Sequence, residues 1–185
     1  MGEKVQMRVV GVSKSANSKD FYCLLLEEVL GDKKLPIVIG QNEAQMIVVS
    51  VDKIKMMRPL LPDVFMETAK EINLQLLEVF IYKKQNGVYF TKIIWQLTDT
   101  SKVEVEARPS DAIALALRSN APIFIEKSIL EQYGVSPSNQ NNPQVIELPL
   151  CEMTKNQLKI LLQEAVEDEN YEQAAIIRDL LKTKI

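Results

Sequence analysis

The sequence predicts a mixed α+β fold: a largely antiparallel, mixed β-sheet with packed helices, followed by a C-terminal antiparallel helical hairpin. Three observations carry this. Short β-rich runs are bounded by turn residues, above all Asn86-Gly87, which supplies the positive φ angles of a tight hairpin turn. Segments with apolar residues at three-four spacing alternate with those runs. A Ser-, Asn-, Gln- and Pro-rich stretch, Ser136 to Pro149, then separates them from two further amphipathic segments. The 185 residues therefore divide into an α/β domain over 1–135, a linker over 136–151 and a helical hairpin over 152–185.

Val5, Met7 and Val9 alternate with Gln6 and Arg8, which marks a first strand with one apolar face. Phe21 to Glu28 and Leu35 to Ile39 form a predicted hairpin around the turn Leu30-Gly31-Asp32-Lys33. Asn42 is placed to cap a helix whose Ala44, Ile47, Val48, Val51 and Ile54 share a face. After Arg58-Pro59 and Pro62, Asp63 is placed to cap a short helix with Val64, Phe65, Ala69 and Ile72 inward. Leu74 to Tyr82, Val88 to Leu97, and the alternating Val103, Val105 and Ala107 are expected to be three antiparallel neighbours.

Ala112 to Leu117 is apolar on every side, so it is expected as a helix buried between other elements. Pro122 to Ile125 follows as a short strand, and Ser128 to Tyr133 as a small helix stopped by a left-handed Gly134. Beyond the linker, Thr154 with Gln157 and Asn170 with Gln173 fit capping boxes of two helices. The first carries Leu158, Leu161, Leu162 and Ala165 on one face. So short a hairpin buries little apolar surface alone and must dock on its own domain, a second copy or a partner; a homo-oligomer is expected.

Composition narrows the function. The chain has no histidine, which excludes Ser-His-Asp and Cys-His nucleophile systems and His-ligated zinc in their usual forms. Cys23 and Cys151 make neither a disulfide framework nor a metal knuckle, so incidental or buried thiols are expected. The net charge is −3 and neither 1–151 nor 152–185 is basic, so nucleic-acid binding would need a local patch. Met1 to Val12 carries Glu3, Lys4 and Arg8, and no stretch is long enough to cross a bilayer; a cytoplasmic protein without membrane contact is expected.

Three segments occur in order: Leu35-Pro36-Ile37-Val38-Ile39-Gly40 with Glu43-Ala44, then Arg58-Pro59-Leu60 with Asp63, then Ala107-Arg108-Pro109-Ser110-Asp111-Ala112-Ile113-Ala114-Leu115-Ala116. Together they resemble the bifunctional nuclease domain family over roughly residues 5–135. The resemblance implies a compact α/β domain with DNase and RNase activity. Where the family pattern reads Thr-His-Asp, this chain has Leu61-Pro62-Asp63. Glu164-Ala165 and Asn170 to Asp179 are similar to the UVR motif of UvrB and UvrC repair proteins and of some regulators of Clp-type chaperone-proteases, where it docks proteins.

Phosphodiester cleavage needs charge stabilisation at the phosphate and an activated water, which carboxylates holding a divalent metal can supply. Glu43, Asp63 and Asp111 all fall at predicted loop-to-helix junctions and are candidate metal ligands or bases for Mg²⁺ or Mn²⁺; no organic cofactor is expected. Arg58 and Arg108 are candidate phosphate clamps, completing a catalytic set with Asp63, Asp111 and Glu43. Lys53, Lys55, Arg58 and Ser110 are candidate nucleic-acid contacts. The same residues also suit structural work as helix caps, dipole partners and turn-forming ion pairs. Glu104 and Glu106 fit a solvated strand face better than a metal pair. Tyr171, Glu172, Ala175, Arg178 and Asp179 are candidate partner contacts on the hairpin. A non-catalytic adaptor that recruits a repair or chaperone-protease partner is the alternative to a nuclease.

Overall fold

Seven strands form one sheet in the order β3-β2-β1-β7-β4-β5-β6. They are β1 (Lys4–Lys14), β2 (Phe21–Glu28), β3 (Lys34–Gly40), β4 (Gln75–Gln85), β5 (Val88–Gln96), β6 (Lys102–Ala107) and β7 (Ile123–Glu126). This computed structural model describes residues 2–14, 21–97, 101–136 and 155–167, and beyond them Tyr171, Ala174, Ala175, Ile177, Arg178 and Leu181. The predicted linker from 137 onward and the capping residues Thr154, Asn170 and Gln173 lie outside the described residues.

The two predicted hairpins and the β4-β5-β6 meander are present, all antiparallel. Asn86 and Gly87 take φ values of 52° and 77°, the paired left-handed conformation a two-residue hairpin turn requires. β7 enters the middle of the sheet, antiparallel to β1 and parallel to β4, at the end of a crossover from the edge strand β6. The sheet is therefore mixed but mostly antiparallel.

Helices α1 (Gln41–Val51), α2 (Leu61–Glu71) and α3 (Pro109–Ser119) cover one face, with α4 (Lys127–Tyr133) and α5 (Lys155–Glu167) following in the chain. As expected from its composition, α3 is buried: Ala112, Ile113, Ala114, Leu115 and Ala116 all join the main core. It packs between the strands β4 and β5 and the helices α1 and α2.

Several expectations are corrected. Asn42 does not cap α1; Gly40 holds that position in an extended conformation, with no side-chain cap bond. Asp63 lies inside the first turn of α2, where its Oδ2 accepts from the Leu60 N–H at 2.8 Å. Only Ala69 of the four expected inward residues on α2 is buried; Val64, Phe65 and Ile72 are exposed because α3 receives the side carrying Pro62 and Ala69. Gly134 is extended, at φ −72°, because Val135 pairs with Lys34; a Cβ at 134 would come within 2.3 Å of the Leu130 carbonyl oxygen.

The sheet is strongly curled. Flat, seven strands at about 4.8 Å spacing would hold β3 and β6 nearly 30 Å apart. Yet the helices that leave these opposite edges, α1 and α3, begin side by side, with Glu43 touching Arg108. Twist of roughly 20° per strand accumulates to about 120° across the sheet. The Glu43–Arg108 contact shows that both helix starts nonetheless reach one place.

On the other face, Phe21 and Cys23 form a second buried cluster with Leu158, Ala165, Ala174 and Ile177. Residues 21 and 23 face away from Leu24 and Leu26, as strand alternation requires. Burial pushes the Cys23 thiol up to about 12, against a smaller opposing pull from the Ile37 backbone, so it is inert while covered.

Two outcomes follow. Ile113→Ala should lower unfolding free energy by about 2–5 kcal/mol in denaturant titration, the cost of a cavity in a fully packed site. Truncation after Pro149 should make Cys23 react rapidly with a thiol reagent in the folded protein, whereas the full chain should protect it.

Candidate functional site

Two clusters of charged side chains sit at the two ends of α3. Seven residues separate Asp111 from Arg118, roughly 10 Å along the axis at 1.5 Å per residue.

At the start of α3, Arg108 occupies the N-cap position and reaches both ways. Its Nε and Nη2 donate to the Asp111 carboxylate at 2.8 and 3.2 Å, and its Nη1 donates to Glu43 Oε1 at 3.0 Å. The Arg108 side chain is 66% exposed, so water screens this network and it contributes little to stability. The hydrogen bonds donated to Asp111, then its charge and that of Glu43, push the guanidinium pKa above its usual value.

At the other end, Arg118 is only 10% exposed. Its Nε pairs with Asp63 Oδ1, and its Nη1 donates to the Ser50 hydroxyl and, at 2.9 Å, to the Ala114 carbonyl. Asp63 thus has both oxygens engaged, one by Arg118 and one by the Leu60 N–H. Desolvation raises the Asp63 pKa, but the Arg118 hydrogen bond, the Leu60 N–H and the Arg118 charge outweigh it, leaving the carboxyl below its usual range. Asp63 is therefore ionised at neutral pH.

This pair stands in the wall between two clefts. One, of about 740 Å³, is lined by Asp63, Glu67, Lys70, Asn73 and Arg118. The other, of about 640 Å³, adds Ser50, Lys53, Lys55 and Asn120 to the same Asp63, Glu67 and Arg118. Lys53 takes the left-handed conformation, φ 52°, as the chain turns out of α1 beside the second cleft. Cations from three segments thus surround one ionised carboxylate.

The structure brings Glu43, Arg108 and Asp111 together and sets Asp63 apart with Arg118. Arg58 is exposed and forms no ion pair among the described residues. Ser110 is 7% exposed in the first turn of α3, whereas Lys53, Lys55 and Arg58 are all exposed. Glu43 and Asp111 converge on a guanidinium, and Asp63 is drawn to a different one. Among the described residues no three His, Cys, Asp or Glu side chains are gathered to hold a metal ion. The donor set of Glu43, Asp63 and Asp111 does not fit a shared cation.

Tyr171 and Arg178 are exposed and Ala175 half-buried, while Glu172 and Asp179 lie outside the described residues. Arg118, Ser50 and Glu67 were not among the residues read from sequence. Arg118 did carry a signal: it is the one charge in the last turn of a helix whose middle is apolar, and a charge there must find a partner.

A profile of the bifunctional nuclease domain matches residues 24–138, and one of the UvrB/uvrC motif matches residues 154–183. Uncharacterized proteins from two strains of Mycobacterium tuberculosis are each 36% identical over 135 residues, covering 73% of this chain and 77% of theirs. Bifunctional nuclease 1 of Arabidopsis thaliana is 25% identical over 169 residues, covering 80% of this chain and 51% of its own.

Unequal burial of the two arginines sets an expectation. Arg118→Ala should cost about 2 kcal/mol or more in chemical denaturation, since it strands Asp63 and Ser50; Arg108→Ala should cost about 1 kcal/mol or less. The depressed Asp63 pKa stabilises the fold above the unfolded carboxyl value, near 4. The stability gap between the native chain and Asp63→Asn should therefore be full at pH 7 and shrink as the pH falls through the carboxyl range.

Proposed function

The chain belongs to the bifunctional nuclease domain family, and from that premise we propose that it hydrolyses phosphodiester bonds of DNA or RNA in the clefts flanking Asp63 and Arg118. The observation that carries this is an ionised carboxylate locked to a buried guanidinium, with Lys53 and Lys55 lining one side and Lys70 the other.

In this reading Lys53 and Lys55 hold phosphates of the strand as point charges, and Arg118 offers positive charge where negative charge grows on the scissile phosphate. Asp63, ionised and fixed by two hydrogen bonds, accepts a proton from the water whose oxygen bonds to phosphorus, while the bond from phosphorus to the leaving sugar oxygen breaks and that oxygen takes its proton from solvent. Glu67 lines both clefts and is a second carboxylate within the same walls. Arg58, exposed at the turn before α2, extends the phosphate track. The Glu43–Arg108–Asp111 group then serves to lock the helix starts. Mg²⁺ or Mn²⁺ is supplied in the assay buffer.

The test is cleavage of labelled single-stranded DNA and RNA by the full chain. Asp63→Asn should lower the rate by about 10²-fold or more. The Lys53→Ala/Lys55→Ala double variant should weaken binding and reduce its salt slope by about 1.4, near 0.7 per lost contact on a single strand. No cleavage by the native chain, or a rate that survives Asp63→Asn and falls with Arg108→Ala, would overturn this placement.

A second reading concerns the C-terminal segment, which resembles a protein-docking motif. Leu158, Ala165, Ala174 and Ile177 are buried against the sheet, yet Ile160, Val166 and Tyr171 remain exposed. That leftover apolar surface supports a docking role for the hairpin over 152–185, toward UvrB/UvrC-like or Clp-type partners.

A further inference from the structure

The two edges of the sheet are finished differently. β3 carries Pro36, and its Lys34 exchanges backbone hydrogen bonds with Val135 at 2.8 Å in both directions, so that edge is blunted. β6 has no such cover among the described residues: Lys102, Val103, Glu104, Val105 and Glu106 are all exposed. An open strand edge is a template for another strand.

The backbone phase of β6 follows from its ladder. The Leu97 N–H donates to the Ser101 carbonyl at 2.9 Å, in register with the β5–β6 pairing. Alternation then turns the N–H and C=O groups of Val103, Val105 and Ala107 toward β5. Those of Lys102, Glu104 and Glu106 point outward.

The face beside this edge is apolar. Val103 and Val105, 40% and 45% exposed, stand beside their β5 partners Trp95 and Ile93. Phe65 of α2 lies 5.6 Å from Trp95, ring centre to ring centre. On α2 the spacing of Leu61, Phe65 and Ile72 makes one stripe, and all three are exposed. The opposite side of the same helix carries Asp63, Glu67 and Lys70 into the clefts. The apolar stripe serves neither the core nor the clefts.

We infer that β6 pairs antiparallel with β6 of a second copy of this chain about a two-fold axis at Glu104, and that the adjoining α2 stripes cover the seam. The strand is self-complementary in that register. Lys102 falls opposite Glu106 of the other copy, and Val103 opposite Val105. The outward backbone groups of Lys102, Glu104 and Glu106 meet their counterparts as hydrogen-bonded pairs. The two Glu104 side chains meet at the axis, each already neutralised by its own Lys92 at 2.7 Å. A two-fold axis perpendicular to the sheet keeps both helix layers on one side, so Phe65 and Leu61 of the two copies flank the valine pairs. A one-residue shift would set valines against charges, which excludes that slip.

The test is the oligomeric state of the full chain by sedimentation at micromolar concentration. A dimer is expected. Glu104→Pro removes an outward N–H without touching the bonds to β5 and should dissociate it. Lys102→Glu should raise the dimer dissociation constant at least about tenfold through like charges across the seam. The double variant Lys102→Glu/Glu106→Lys should restore it. Circular dichroism matching the native chain assigns these losses to the interface. A native monomer, a dimer indifferent to Glu104→Pro, or a charge reversal that fails to rescue would overturn the proposal; the last two point to a different surface.

Discussion

Burial of α3 is the constraint around which this protein is organised. An eleven-residue helix whose middle is entirely apolar has no solvated face, so sheet, α1 and α2 must all close on it. Its polar ends then have to be answered. Arg108 at the start gathers Asp111 and Glu43, and Arg118 at the finish gathers Asp63 and Ser50. The helix therefore decides which side chains of α1 and α2 become neighbours.

Those two ends differ in solvation, and that difference separates their roles. Arg108 is mostly in water, where an ion pair is screened and exchangeable. Arg118 is nearly enclosed, so its charge acts at longer reach on Asp63 and on whatever enters the neighbouring clefts. A carboxylate kept ionised against its own desolvation is an organised electrostatic feature of this end of α3. The sheet contributes by feeding helices from its two outermost strands to the same place, while among the described residues β6 is exposed and β3 is paired to Val135.

Much of the fold was legible because it is local. Asn86-Gly87 needs no distant contact to turn the chain, and Ala112 to Leu117 announces a buried helix by lacking any polar face. The errors arose where tertiary packing chose among locally equal options. On α2, Val64, Phe65 and Ile72 were as apolar as Ala69, but Pro62 and Ala69 met α3 and the larger residues stayed outside. Asp63 was recognised as important through its motif, yet its partner Arg118 lies 55 residues away, beyond any pattern in spacing.

By itself the sequence determined the elements, their order, the family and the absence of imidazole chemistry, because these depend on residue type, short-range periodicity and a motif carried in the chain. Only the tertiary structure decided which carboxylate faces which guanidinium. It placed β7 between β1 and β4, and it brought Glu43 to Arg108 while holding Asp63 at the far end of the same helix. Charge pairing is set by distance and dielectric across the folded interior, and neither quantity exists until the sheet has twisted and α3 has been buried.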